Sequence, residues 1–351
     1  MKEFAVIMAG GYGSRFWPLS RNHTPKQYLK LFGDKTLIQY AFNRNSRVFG
    51  KNNVFICTNP LQQKIISSQV AIKKENFILE PLPRDTAAAI GFSTLALMEK
   101  FGDCVIATVA SDHLIKRIGA YERTIRKAIS IARNSGQIVT IGIPPTYPST
   151  AFGYIEREER LSANAWKVRM FREKPNKETA EEYISSGKFF WNASMFVFKA
   201  GVMLDAIKKF LPKHFEAFEV IRKSNLNRSV IKKEFPRLEK ISIDYGIMEK
   251  AENVSVVKGE FDWDDVGSWN ALERVVGTDK EKNTVRGLFA GLESANNIVF
   301  SDSGIVACIG IEGMVIVKTR DAVLVCRKND VERVKELVKE LEKKNRTKKF
   351  I

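Results

Sequence analysis

Gly10, Gly11 and Gly13 fall within four positions, directly after the apolar run Phe4-Ala5-Val6-Ile7-Met8. Such a run reads as a buried strand. A glycine cluster behind it lets the backbone pass close to a ligand and aim several N–H groups at it. Arg15 and Lys26 add two cations, and backbone donors with cations suit a polyphosphate. Gly13-Ser14-Arg15 is not the Gly-Lys-Ser/Thr ending of a P-loop, and Phe16 stands where a dinucleotide loop needs its third glycine. Spacing alone therefore gives a phosphate loop of unspecified type, or a plain glycine turn between strand and loop.

Acids form the next candidates. Ser111-Asp112-His113 ends a second apolar run, and Asp262-Trp263-Asp264-Asp265-Val266-Gly267 clusters three carboxylates. A carboxylate at a strand end, opposite a phosphate loop, is placed to hold magnesium on phosphate oxygens. It is equally at home as a helix or turn cap. Glu173-Lys174-Pro175 reads, by itself, as a salt bridge ahead of a helix whose start is set by proline.

The elements that must position these groups follow from periodicity. Strands are expected at 53–57, 77–79, 104–109 and 138–143, with helices at 36–49, 60–73, 87–98 and 119–134. Asn59 is placed to open the second helix, and Asp85 or Thr86 to cap the third. Continuous apolar strands alternating with helices indicate an α/β fold with a largely parallel sheet, and ligands collect at the carboxyl ends of such strands. The middle of the chain adds strands at 153–156, 167–172, 190–198 and 254–257, and helices at 176–186, 200–236 and 243–252. From about Asn283 the runs NIVF, GIVACIG, MVIVK and AVLVC, separated by tight turns, indicate a β-roll or short β-helix. Val331, Val334, Leu337, Val338 and Leu341 stripe a closing helix, capped by Asn329 or Asp330. That stripe packs on its own β layer or makes a dimer contact. Two domains are expected, 1–280 and 281–351.

Composition narrows the class. Apolar residues make up 44% of 351, as in a globular chain. Net charge is +17, but four of those charges sit in the 339–349 tail and the rest are scattered without a basic-aromatic stripe, which argues against nucleic-acid binding. No apolar window reaches membrane-spanning length, and Met1-Lys2-Glu3 leads straight into a strand rather than a signal peptide. Cys57, Cys104, Cys308 and Cys326 lie in apolar runs without metal-ligand spacing, so buried free thiols and a cytoplasmic location are expected.

The loop Gly10 to Lys26, with its Phe16-Trp17-Pro18-Leu19-Ser20 and Pro25-Lys26-Gln27 segments, resembles that of sugar-nucleotide pyrophosphorylases, most closely the mannose-1-phosphate guanylyltransferases. Five further stretches resemble that family in the same order. They are Glu80-Pro81 to Ala88, Phe152-Gly153-Tyr154, Glu173-Lys174-Pro175, Trp191-Asn192-Ala193-Ser194-Met195-Phe196, and Asp265-Val266-Gly267. Ser194 departs from the commoner glycine of the family, a change expected to be tolerated. The resemblance implies a Rossmann-like nucleotide-diphospho-sugar transferase core with a mostly parallel mixed sheet.

It also implies roles. Gly10, Gly11, Gly13, Ser14, Glu80, Asp85, Ala88 and Ser111 would bind the nucleotide, with Glu80 or Asp85 accepting from guanine N1 and N2. Gly153, Glu173, Lys174 and Asn192 would bind the sugar phosphate. Arg15 and Lys26 would stabilise the triphosphate and the leaving pyrophosphate, and Asp112 with Asp265 would hold Mg2+ or another divalent cation. Asp262 and Asp264 are left as structural. The implied reaction is GTP plus mannose 1-phosphate giving GDP-mannose and pyrophosphate, by a cytoplasmic homodimer. The longer bacterial relatives append an isomerase domain for which this chain is expected to be too short. A related enzyme using another base or sugar, a catalytically silent sugar-nucleotide sensor, and a basic nucleic-acid-binding protein are the competing readings.

Overall fold

The computed structural model describes residues 1–11 and 13–351. Its packing resolves into two compact units. One holds Met1–Gly10, Ala41–Ser111 and Ile115–Trp263; the other holds Gly11–Tyr40, Asp112–Leu114 and Asp264–Ile351.

Strand and helix alternate as the apolar runs require. β1 (Glu3–Met8) is followed by α1 (Leu37–Phe49), β2 (Val54–Thr58), α2 (Pro60–Gln69), β3 (Phe77–Leu79), α3 (Asp85–Phe101) and β4 (Val105–Ala110). β2 is buried at every position and β4 at all but its last, which is why both read as unbroken apolar runs. Asn59 caps α2 by accepting from the N–H groups of Leu61 and Gln62. That helix ends at Gln69, short of Lys73. Neither expected residue caps α3. Asp85 stands at φ 67 and accepts from the adjacent Thr86 N–H, while the Thr86 hydroxyl accepts from Ile243 N–H at 2.8 Å.

The chain continues through β5 (Leu114–Ile115), α4 (Ile118–Ser135), β6 (Ile138–Ile143), β7 (Tyr154–Ser162), β8 (Ala165–Arg172), α5 (Lys177–Ser185) and β9 (Phe189–Lys199). Helices α6 (Ala200–Phe210), α7 (Pro212–Lys223) and α8 (Arg228–Glu234) precede β10 (Val254–Lys258). The helix expected at 243–252 is instead a single π-turn, Asp244–Met248.

Nine strands form one mixed sheet in the order β3-β2-β1-β4-β9-β6-β10-β8-β7. β1 pairs in parallel with β2 on one side and β4 on the other. The chain runs out to the edge through β2 and β3, then returns along α3 to β4. Strand order thus reverses between β1 and β4, and their carboxyl ends flank a crevice suited to a ligand. Ala9 and Gly10 follow β1 there. Ser111 follows β4, and its N–H donates to Met8 O at 3.2 Å.

In the second unit, β11 (Trp263–Asp264) starts at its border and α9 (Ala271–Val276) leads to β12 (Thr284–Leu292), β13 (Ile298–Ile309), β14 (Met314–Lys318) and β15 (Val323–Arg327). NIVF and GIVACIG, expected as two strands, are the single strand β13. β12, β13 and β14 pair in parallel across corners at 293–297 and 310–313. Corners that short cannot carry a crossover helix, so the strands coil as a β-helix. Asn283 and Asn297 stack at one corner: Asn283 Oδ1 accepts from the Asn297 backbone and side chain, and Asn297 Oδ1 accepts from Met314 N–H. β15 then closes antiparallel on β14.

Trp269 is the post of this unit. It is fully buried, donates from Nε1 to Trp17 O at 3.1 Å, and lies 5.1 Å from the Phe16 ring and 5.3 Å from the Phe300 ring. The closing helix α10 (Val334–Lys343) joins the same core through Val334 and Val338, with Val331 ahead of it. Its stripe therefore packs on its own layer, and only Leu337 is left 39% exposed. Asn329 and Asp330 do not cap it; they lie in the 3-10 turn Lys328–Arg333. All four cysteines are free, but Cys308 and Cys326 are only half-buried, unlike the buried Cys57 and Cys104. Among the described residues no helix is long and apolar enough to cross a membrane.

Candidate active site

Lys26 organises the acids of the second unit. Its ammonium lies 2.9 Å from Asp112 Oδ2 and donates to Asp265 O at 2.7 Å. Gly13 makes room for it: a Cβ there would sit 2.2 Å from Lys26 Cβ, and Gly13 itself has φ 64. The Ser20 hydroxyl donates to Gly13 O and the Gln27 amide to Gly11 O, which fixes the turn of the loop. Burial works against the Asp112 carboxylate, yet Lys26 and then His113 hold its pKa below the ordinary value. Asp265 goes the other way. Burial raises it, and Asp264 and Asp112 add to that against Lys26 and Arg274.

Asp264 is structural, as expected: it accepts from Val266 N–H at 2.7 Å and from Arg274 at 2.6 and 3.0 Å. Asp262 pairs with Arg117 at 3.2 Å. Val266 is held at φ 50, a costly conformation for a β-branched residue, directly after the acid pair. Ser14 and Arg15 lie in the 3-10 turn Ser14–Phe16. Arg15 pairs through Nε with Glu332 at 2.8 Å, a partner that no sequence spacing announces.

In the first unit, Glu80 stands at the carboxyl end of β3. Its N–H donates to Thr58 O, and its side chain is 7% exposed. Burial lifts its carboxyl to about 7, with the Cys57 thiol acting against and the Asp85 charge adding to the rise. Oε1 has no partner among the described residues, and Oε2 would lie 3.9 Å from a Cβ on Gly10. A buried carboxyl with an open acceptor suits a ligand that brings N–H donors. Ala88 is wholly buried in α3 and belongs to the core.

The structure brings Gly153, Glu173, Lys174 and Asn192 together in the same unit. Asn192 N–H donates to Gly153 O at 2.8 Å. A Cβ on Gly153 would lie 2.3 Å from Glu173 Oε2 and 3.2 Å from Asn192 Cβ, so no larger residue fits. Lys174 Nζ pairs with Glu173 Oε1 at 3.0 Å, and Glu173 N–H donates to Glu249 at 3.0 Å. Burial raises the Glu173 carboxyl, Lys174 opposes this, and Glu249 adds to it. Lys174 and Ser194 both adopt positive φ, 48 and 49. The second explains why a glycine is common at that position of the resembled motif.

Sequence reasoning missed Asp244. Its carboxylate accepts from Asn192 Nδ2 at 2.9 Å, and it is 8% exposed. One signal was available. Asp244 shares a helical face with Ile247 and Met248, both buried, and an acid on an apolar face needs a partner. Among the described residues no group of three or more His, Cys, Asp or Glu has the geometry of a metal cluster.

Comparison with known proteins gives the family. Residues 4–282 match the nucleotidyl transferase family, and residues 288–341 match the MannoseP isomerase/GMP-like beta-helix domain. The mannose-1-phosphate guanylyltransferase 2 of Escherichia coli O157:H7 is 40% identical, over 98% of this chain and 74% of the relative. Mannose-1-phosphate guanylyltransferase of Escherichia coli K12 is 37% identical, over 97% and 73%. A crystal structure from Thermus thermophilus, described as a mannose-1-phosphate geranyltransferase, superposes with a TM-score of 0.89 at 36% identity, covering 97% of this chain and all of that one. The chain is a member of the nucleotidyl transferase family, in the group that holds the mannose-1-phosphate guanylyltransferases.

Proposed function

We propose that this protein makes GDP-mannose and pyrophosphate from GTP and mannose 1-phosphate. The observation that carries the reading is the nearly buried Lys26, which gathers Asp112 and Asp265 beside a glycine turn. A phosphoryl or nucleotidyl transfer needs positioning and charge neutralisation more than proton transfer. The sugar phosphate, with a second pKa of about 6, is already mostly ionised at neutral pH and attacks the α-phosphorus without a general base. The attack runs in line with the departing pyrophosphate, whose growing charge Lys26 and Arg15 stabilise. Arg15 would have to exchange Glu332 for phosphate.

The donor set fits a hard divalent cation. The two carboxylates are hard oxygen donors, and burial, then the neighbouring acids, hold the Asp265 carboxyl above its ordinary value. Asp112 and Asp265 would hold magnesium, whose charge would offset that of the phosphate oxygens. Glu80 would accept from the guanine edge, with Gly10, Gly11, Gly13, Ser14, Asp85 and Ser111 bordering the nucleotide. Glu173 and Asn192 would meet hexose hydroxyls beside Gly153, and Lys174 the phosphate.

A cytoplasmic homodimer belongs to the proposal. Its support is not α10 but the β-helix, where the cross-strand pairs Leu288–Ile305 and Leu292–Ile309 are all more than half exposed. A pyrophosphate-release assay across four NTPs and several hexose 1-phosphates tests the activity. GTP with mannose 1-phosphate should be fastest, with glucose 1-phosphate slower by roughly ten- to a hundredfold. Preference for another pair would make this a related nucleotidyltransferase, and binding without release in every case would make it a sensor.

A further inference from the structure

The Asn192 amide is fixed from three sides. Its Oδ1 accepts from Ser194 N–H at 3.0 Å and from the Thr140 hydroxyl at 3.3 Å, and its Nδ2 donates to Asp244 Oδ1 at 2.9 Å. A flipped amide would set N–H against N–H and oxygen against carboxylate, so the network assigns the orientation. Both lone pairs of the oxygen and one N–H are spent. Among the described residues, one N–H of Asn192 remains without a partner.

Asp244 opens the π-turn Asp244–Met248, a rare geometry that recurs at functional sites. The ionisable groups facing it are Glu173 and Lys174 from the segment after β8. Burial and Glu173 push its carboxyl up to about 7, while Asn192 and Lys174 act in the opposite sense. A buried acid costs stability unless it is paired, and the Asn192 amide is the partner it has here.

We propose that Asp244 is a positioning residue for the sugar, holding Asn192 so that its amide offers the substrate one N–H donor and no acceptor. The inference rests on the assignment of Asn192 and Glu173 to the hexose. It divides their work by polarity. Asn192 reads a hydroxyl by its oxygen, whereas Glu173, whose buried Oε2 has no partner among the described residues, reads one by its hydrogen.

The test compares Asn192→Ala, Asp244→Asn, Asp244→Leu and the double exchange Asn192→Asp/Asp244→Asn, each assayed for KM of mannose 1-phosphate, KM of GTP, kcat and Tm. Asp244→Asn keeps an oxygen for the amide, so KM for the sugar should stay within about threefold. Asp244→Leu should raise it roughly ten- to a hundredfold with KM for GTP little changed. The double exchange keeps a hydrogen bond between positions 192 and 244 but reverses its donor. It should melt like wild type and still lose sugar affinity as badly as Asp244→Leu. If Asn192→Ala weakens the sugar while Asp244→Leu and the exchange do not, the role of Asp244 is overturned and the sugar assignment stands. An Asn192→Ala variant with unchanged sugar KM overturns the assignment itself. An exchange variant with normal sugar KM, beside an Asp244→Leu that melts early and loses both substrates alike, would make Asp244 structural only.

Discussion

Lys26 and Asp112 form an ion pair at 2.9 Å with the lysine only 7% exposed. The same ammonium reaches the backbone carbonyl of Asp265, while the carboxylate of that residue stays raised by burial and by its acidic neighbours. One cation therefore serves two acids incompletely. The residual negative charge is what a divalent ion would meet, and the ammonium is what a leaving pyrophosphate would meet.

Replacing Lys26 with Met keeps most of the stem and removes the charge. The chemical step should slow roughly a hundredfold or more, with KM for GTP changing less, because the contact strengthens as charge builds on the leaving group. The half-saturating magnesium concentration should fall, since Asp112 and Asp265 lose the cation that competes for them. Steady-state rates over a magnesium series measure both. A raised magnesium requirement would take the two acids out of the metal role.

Asp112→Asn and Asp265→Asn should both abolish turnover, yet move stability in opposite directions. The first leaves a nearly buried ammonium without its counter-ion, which should cost about 1–3 kcal/mol. The second removes an acid that burial and two neighbours already disfavour, so it should be neutral or stabilising. Urea denaturation distinguishes them, and near-normal activity in either variant would strike that residue from the site.

Ser194 makes a separate test of conformation. It is exposed and held at φ 49. A left-handed backbone costs a residue with a Cβ about 1–2 kcal/mol, and glycine returns roughly 0.5–1 of that through its freer unfolded chain. Ser194→Gly should thus be neutral or more stable by up to about 1 kcal/mol, with activity kept because the N–H to Asn192 remains. A clear loss of thermal stability would show that the side chain, not the backbone, matters here.

The succession of strands and helices along the first half of the chain was legible because buried parallel strands write themselves as unbroken apolar runs, and Gly13 and Gly153 are demanded by close contacts with Lys26 and Glu173. Asp244 was not legible as a site residue because its partner Asn192 lies far away in sequence and the π-turn has the composition of an ordinary helix. Glu332 and Arg15 meet across an even longer separation. The cap positions at Asp85 and Asp330 failed for a related reason. The chemistry of a cap is local, but Asp85 stands at positive φ, Thr86 takes Ile243 N–H instead, and Asp330 lies in a 3-10 turn paired with Arg333. The two β-helix runs merged into β13 because Gly304, at φ 70, bends the strand without ending it.

Substitutions to lysine on α10 and β13 test where a second copy would dock. Val334 is 3% exposed in the core with Phe16 and Trp17, so Val334→Lys should unfold the second unit or leave it aggregated. Leu337→Lys should change neither stability nor sedimentation. Ile309→Lys, on a residue 73% exposed, should leave the melting of the monomer unchanged but dissociate a dimer. A dimer unaffected at Ile309 and broken at Leu337 would return the contact to α10.

The last expectation concerns acid. Burial, then the Glu173 charge, pushes the Asp244 carboxyl up to about 7, well above the usual aspartate near 3.9. Between those values the folded state holds the proton more tightly than the unfolded chain. Unfolding stability therefore falls as pH rises through this window, and the full loss is present above about 7. Asp244→Asn removes the titration and keeps an oxygen for Asn192. At pH 8 the variant should melt above wild type by several degrees. The difference should shrink steadily as pH is lowered and vanish near pH 4–5, because each pH step between the two values is worth about 1.4 kcal/mol. Glu80 contributes a parallel effect, also at about 7, but it is common to both proteins and cancels in the comparison. Melting curves of the pair from pH 5 to 8 check the sign. A difference that grows toward acid would mean that Asp244 is held ionised in the fold, with Lys174 outweighing its burial.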